Sequence, residues 1–348
     1  MSFTDFEISE INKVVALFPN GTEISVAKIF NKTPCYYGVK NSENKLNAIN
    51  NSNKVFEIGS ITKVLTSFLL AKKVAEGVIE LDQAINTVIP TPIKDGAKIT
   101  FKELATHTSG LPRLPPGLIW QALFKDKDNP YKNYSNDRLI DYLENKLKLK
   151  AKGKMLYSNL GAGLLGYVLS TLSNQPYNEL ITDNLFLPLG MSNSTAQREL
   201  VNNRLVPGLG TKGKPVSNWD LGALQGAGAV LSTTEDLVKF VLANFDSNNE
   251  VMKKQRTTAF DDGVECIALG WLILDKKTKG ERMYFHNGGT GGYSSAMLLD
   301  IEKSNAFIIL SNISGLHKLK GQKVDNLALN LMANLMDEKE TNLEYCDS

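Results

Sequence analysis

Apolar and polar positions recur with two different periods along this chain, and the switch between them divides it. Near the start, "TEISVAKIF" (22–30) and "TPCYYGVK" (33–40) alternate as half-buried strands do, joined by the Asn-Lys turn of "FNKT". Residues 3–17 before them carry apolar positions at helical spacing. The Asn-rich "NSENKLNAINNSNK" favours turns, because Asn bonds its own backbone and tolerates left-handed geometry. It leads into a strongly apolar helix predicted from about Ser60 to Gly77, with the glycine as its stop.

From Leu81 to about Gly226 the period is mainly helical, broken by proline and glycine in "VIPTPIKDGAKIT", "TSGLPRLPPG" and "LFLPLGMSN". Within it "DRLIDYLENKLKL" sets Leu139, Ile140, Leu143 and Leu147 on one face. After Thr234 a helix, "EDLVKFVLANF", is followed by four strand-like runs, "ECIALGWLIL", "ERMYFHNGG", "SSAMLLDI" and "NAFIILSNI", spaced as in an antiparallel sheet. A last helix, "DNLALNLMANLMD", closes the pattern. The fold class expected is α+β: an antiparallel sheet flanked by helices and built from both chain ends, with a mainly helical inserted lobe. Residues 1–80 and 227–348 form the sheet lobe, residues 81–226 the helical lobe, and a site lies at their interface. A length of 348 residues agrees with two lobes at ~150 residues each.

Composition narrows the function classes. With 42% hydrophobic and 22% charged residues the chain reads as an ordinary globular protein, and a net charge of +2 gives no field that would favour nucleic acid. Cys35, Cys266 and Cys346 are far apart, and His107, His286 and His317 share no ligand spacing, so no metal and no cofactor are expected. The longest apolar runs fall far below the ~18 residues that span a bilayer, so no integral membrane segment is expected. The first residues carry acids where an export signal carries Lys or Arg; the expected compartment is the cytoplasm as the chain is written, or the periplasm or exterior if a leader was removed. The alternating lysines of "NKLKLKAKGK" read as a solvated helix end.

Candidate chemistry begins with Ser-x-x-Lys, which occurs three times: Ser25–Lys28, Ser42–Lys45 and Ser60–Lys63. In a strand, positions three apart face opposite sides, which disfavours the first, and the second lies in a polar turn. Only Ser60 starts a helix, where positions three apart share a face and Lys63 can approach the hydroxyl. The apolar residues after Lys63 favour burial and a neutral amine able to accept a proton. A plain alternative is Ser60 as N-cap and Lys63 as a first-turn surface residue.

The wider series decides between these readings. "FEIGSITKVLT", "LATHTSGLP", "YSNLGAGLLGYVL", "LFLPLGMS", "GAGAVLSTTEDLVKFV" and "HNGGTGGYSS" follow one another between about residues 55 and 312. In that order they resemble the motifs of the serine hydrolase family of class C β-lactamases, DD-peptidases and related esterases. The resemblance implies a β-lactamase/transpeptidase-like fold and a serine acylated by an amide, lactam or ester. It assigns Ser60 as nucleophile, Lys63 as its partner and Tyr157 of Tyr157-Ser158-Asn159 as general base and acid. A tyrosine beside ammonium groups is expected to be drawn toward phenolate. Asn159 is expected to orient a substrate amide and hold Lys63, or to cap its helix. His286, Asn287, Gly288 and Gly289 match the strand element that lines the substrate, with the Ser60 and Gly289 amides as oxyanion hole; His286 is expected near Tyr157 or on a substrate carboxylate. His107 is read as a brace.

Histidine at 286, where class C β-lactamases carry lysine, points toward peptidases and esterases. The resulting reading is a serine hydrolase acting on a small-molecule or peptide substrate, such as a D-amino-acid peptide, with weak β-lactamase activity. The alternative is a penicillin-binding-like sensor or scaffold that binds or is acylated without turnover. Specificity is expected from "LPRLPPGLIWQALF" and "GTKGKPVSNWD". No spacing in the chain specifies an oligomeric state.

Overall fold

A computed structural model describes residues 2–43, 45–118, 128–276 and 281–344. Helix α1 (Asp5–Val15) is opened by a Thr4/Glu7 capping box and leads to strands β1 (Glu23–Phe30), β2 (Thr33–Ser42) and β3 (Lys45–Ile49). A short β4 (Phe56–Glu57) precedes α2 (Thr62–Ala75). Then come α3 (Phe101–Ala105), α4 (Asn136–Asp141), α5 (Asn159–Ser173) and α6 (Tyr177–Ile181). After β5 (Leu231–Ser232) follow α7 (Thr234–Asn244) and α8 (Glu250–Arg256). The chain continues through β6 (Phe260–Asp261), β7 (Cys266–Ile267), β8 (Leu272–Lys276), β9 (Glu281–Gly289), β10 (Ser294–Asp300), β11 (Asn305–Ser311) and α9 (Lys318–Glu344).

The expected α+β architecture is present. Among the described residues nine strands form one antiparallel sheet in the order β3-β2-β1-β11-β10-β9-β8-β7-β6, so the two ends of the fold meet where β1 pairs β11. Period-two burial decides which side each residue serves. Ile24, Val26, Leu298, Phe307 and Ile309 pack with Ile11 and Val15 of α1 and Val324, Leu327 and Leu331 of α9. The alternate positions, Ala27, Ile29, Met297, Leu299, Ile308 and Leu310, face a second core with α2 and the helical part of the chain. Thr62 through Ala71 of α2 are buried all round, as suits a helix enclosed by the core.

Three local readings change. "NSENKLNAINNSNK" contains edge strand β3: backbone pairing with β2 overrides its polar composition, and its side chains remain largely exposed. "ECIALGWLIL" is two strands, because the chain turns at Gly270, whose φ is +75°. A Cβ there would lie 2.8 Å from the Lys63 carbonyl oxygen and 2.7 Å from Ser67 Oγ, so the glycine allows this turn to seat on α2. "DRLIDYLENKLKL" leaves α-helical geometry at Tyr142 for one π-helical turn; Leu139, Leu143 and Leu147 are nonetheless buried, while Ile140 is only partly so.

Candidate active site

Ser60 lies between β4 and α2, inside a single 3₁₀ turn (Gly59–Ile61). It makes no side-chain cap to α2, so the N-cap reading fails here. Its hydroxyl instead lies 2.8 Å from Lys63 Nζ. The turn geometry brings this pair together on one face, as the spacing predicted. Lys63 is 2% exposed, and its amine donates to the Ala227 carbonyl at 2.7 Å. Burial, then the charge of Arg113, pushes its pKa well below the usual lysine value. The Ser25–Lys28 pair is drawn apart: Ser25 meets Thr234, and Lys28 meets Glu7.

Tyr157 stacks over this pair, with Lys63 Nζ 4.9 Å from its ring centre. Burial lifts the phenol to about 12; hydrogen bonding with Ser60 and the Arg113 charge act in the opposite direction without offsetting it. The direction is opposite to that expected of a tyrosine drawn toward phenolate, because desolvation outweighs the neighbouring charge. His107 braces this segment. Its Nδ1 accepts from the Ser158 amide at 3.2 Å, its carbonyl accepts from Leu156 N at 2.8 Å, and its ring centre lies 4.5 Å from that of Tyr157.

Asn159 is placed differently from expectation. Ser158 caps α5, accepting from Gly161 N at 2.9 Å, and Asn159 is the first helical residue. Asn159 Nδ2 donates to the Tyr131 hydroxyl at 3.0 Å rather than binding Lys63, and its Oδ1 is buried without a partner. The carbonyl of Ala227 holds the lysine instead.

Strand β9 delivers the third element. Strand β8 begins at Leu272, opposite Phe285, so residues 286–289 have no β8 partner on that side. Thr290 N donates to Tyr293 O at 2.9 Å, and by the alternation of an antiparallel ladder the Gly289 amide faces away from β10, toward the open edge. The edge lies hard against the Ser60 turn. A Cβ on Gly288 would lie 2.1 Å from Ile58 O, and one on Gly59, at φ +51°, would lie 2.7 Å from Gly289 N. Ser295 Oγ donates to Ile58 O at 2.9 Å and fixes the same approach. His286 does not reach the open cleft. It is 7% exposed, its Nδ1 lies 2.6 Å from Asn287 O, and burial, with the Lys63 charge second, lowers its pKa to about 4. It faces a small space of about 130 Å³ behind Tyr157, shared with His107 and Trp271. Of the two places expected for it, this is the one near Tyr157, whose ring centre lies 6.4 Å from that of His286.

The cleft in front of Ser60 encloses about 830 Å³, within the usual range for small-ligand sites. Tyr157, Asn159, Asn287, Gly288 and Gly289 line it together with Arg113, Tyr131, Trp219 and Asp325, which sequence reading did not single out. Arg113 and Trp219 fall in the two expected specificity segments, of which residues 119–124 lie outside the described residues. Trp219 N and Asn218 Nδ2 donate to Glu57 Oε1 at 2.9 and 2.7 Å, tying that segment beside the nucleophile. Among the described residues no group of three or more His, Cys, Asp or Glu is placed to hold a metal ion, and no helix is long and apolar enough to cross a membrane.

Comparison with known proteins bears on the family and the fold. The chain is 26% identical over 286 residues to the D-alanyl-D-alanine-carboxypeptidase/endopeptidase AmpH of Escherichia coli K12, covering 74% of this chain and 71% of that protein. It is 25% identical over 297 residues to Protein flp of Staphylococcus aureus MW2, covering 80% of this chain but only 56% of that longer protein. In fold it matches a β-lactamase/D-alanine carboxypeptidase from Pseudomonas syringae (TM-score 0.77, 22% identity, 93% of this chain and 97% of that one). It also matches an octameric penicillin-binding protein homologue from Pyrococcus abyssi (TM-score 0.77, 22% identity, 95% and 76%). The Beta-lactamase family profile aligns with residues 18–330, which contain the Ser60 turn, the Tyr157 segment and the β9 edge, and the chain belongs to that family.

Proposed function

We propose that the protein is a serine hydrolase that passes through an acyl-Ser60 intermediate on a peptide-like amide or ester, with a short D-amino-acid peptide as the substrate class. The observation that carries this reading is the 2.8 Å approach of Ser60 Oγ to a lysine amine that is buried without a carboxylate partner. A neutral Lys63 has one lone pair. It takes the Ser60 proton while its N–H groups donate to Ala227 O, and the alkoxide attacks the substrate carbonyl. The amides of Ser60 and Gly289 receive the developing oxyanion, and Asn159 lines the cleft beside them. Tyr157, a phenol, gives its proton to the leaving group and is reprotonated by the Lys63 ammonium beneath its ring. Water then releases the acyl group.

The carboxypeptidase name borne by AmpH, and histidine in place of lysine at 286, support peptides over β-lactams. Hydrolysis of a D-alanyl-D-alanine peptide and of an activated ester is the test. Ser60→Ala is expected to lose about 1000-fold or more, and Tyr157→Phe to lower kcat with little change in KM. Retained turnover in folded Ser60→Ala would contradict the assignment.

A further inference from the structure

Two charged side chains line the cleft, Arg113 and Asp325, and the mechanism above gives Asp325 no task. Asp325 lies on α9 and shares the cavity with Ser60, Gly288 and Gly289. It is half-buried, and Asn287 Nδ2, on the unpaired edge of β9, donates to its Oδ2 at 2.8 Å. That single bond fixes the carboxyl beside the strand that flanks the reacting carbonyl. Among the described residues no lysine or arginine is seen to act on it, and it is the one anionic side chain lining the cleft. The one cationic lining residue, Arg113, comes from the other wall and stands over Tyr157, its guanidinium carbon 5.1 Å from that ring. His286, which precedes Asn287, is neutral and turned into the space behind Tyr157.

We propose that Asp325 is a specificity-determining residue, selecting substrates with an ammonium group beside the β9–α9 wall and rejecting those with a carboxylate there. The inference rests on the acyl-Ser60 reading. A carboxylate fixed at a partly dehydrated wall attracts a cation and repels an anion more strongly than it would in bulk water. Burial already lifts the Asp325 carboxyl to about 6, with only the Asn287 bond acting the other way, which marks a group short of positive partners. An incoming ammonium would supply what the protein does not.

Two sets of N-acyl amino-acid esters, each in ammonium, carboxylate and neutral forms, test this. One set carries the charge on the alcohol and the other on the acyl group, so that whichever end meets α9 is sampled. The ratio of kcat/KM for the ammonium ester over the carboxylate ester is expected to be at least tenfold in one set. Asp325→Asn is expected to lower that ratio at least fivefold, and Asp325→Lys to invert it. Ratios near one in both sets, or a ratio unchanged in Asp325→Asn, would overturn the proposal. Binding of the same esters to Ser60→Ala, followed by isothermal titration, reads charge selection without turnover. Absence of hydrolysis of every ester by the wild type would count against the hydrolase reading, while the binding ratios would still decide for or against Asp325.

Discussion

The tetrapeptides Ser25–Lys28 and Ser60–Lys63 have the same spacing and bury both of their lysines, yet only one forms a candidate reaction centre. In β1 the two side chains leave opposite faces: Ser25 meets Thr234 at 2.9 Å in the inner core, while Lys28 turns toward α1 and binds both Glu7 oxygens, at 2.9 and 2.6 Å. At the start of α2 the same spacing returns to one face, and Lys63 finds a hydroxyl and a carbonyl but no carboxylate. Burial alone does not set a lysine's chemistry. A carboxylate partner makes it one half of an ion pair; its absence leaves an amine for which desolvation favours the neutral state.

That contrast can be broken at either end. The largest effect is expected from Lys63→Ala, which removes the proton acceptor and should slow single-turnover acylation by an activated ester about 1000-fold. An unchanged acylation rate would remove Lys63 from the mechanism. At the other pair Glu7→Gln leaves Lys28 buried without its counter-charge, and should cost about 3 kcal/mol of stability in denaturant unfolding. Activity per folded molecule should stay at the wild-type value, and a parallel loss of activity would mean that the two regions are coupled. Gly288→Ala places a Cβ against Ile58 O and should displace the β9 edge from Ser60, lowering kcat by about tenfold to 100-fold while Ser60 remains in place. A variant of full activity would show that this close approach is not needed.

The smallest signature is in the pH profile. The Lys63 amine must be neutral to accept a proton and its pKa is depressed, so acylation should persist to lower pH than an ordinary lysine would allow and be lost as acid protonates the amine. His286 titrates at about 4 and should contribute no inflection near 6.5. An imidazole signal from His286 titrating near 6.5 by NMR would contradict its placement behind Tyr157.

Much of this site was legible in the sequence because it is local. Ser60 and Lys63 need only a helical turn, and the glycines of "HNGG" announce a backbone that something approaches closely. The sheet could be read because β1, β10 and β11 are short, largely apolar runs, as strands buried on both faces are. What could not be read depends on the partner that packing supplies. Ala227 offers Lys63 a carbonyl, which no side-chain motif encodes, and Asn159 turns its amide N–H to Tyr131. The ionisation of Tyr157 turned on burial outweighing charge, a balance that is settled only in three dimensions. Asp325 sits on a helix more than 260 residues from Ser60, with nothing in its neighbours to mark it as a cleft residue.

The most direct test of the central claim is peptide-resolved mass spectrometry after brief exposure to an activated ester and, separately, to a penicillin. The acyl group is expected on the peptide containing Ser60, absent from the peptide containing Ser25, and lost altogether in Ser60→Ala. Acylation at another residue, or of the Ser60→Ala protein to the same extent, would contradict the account.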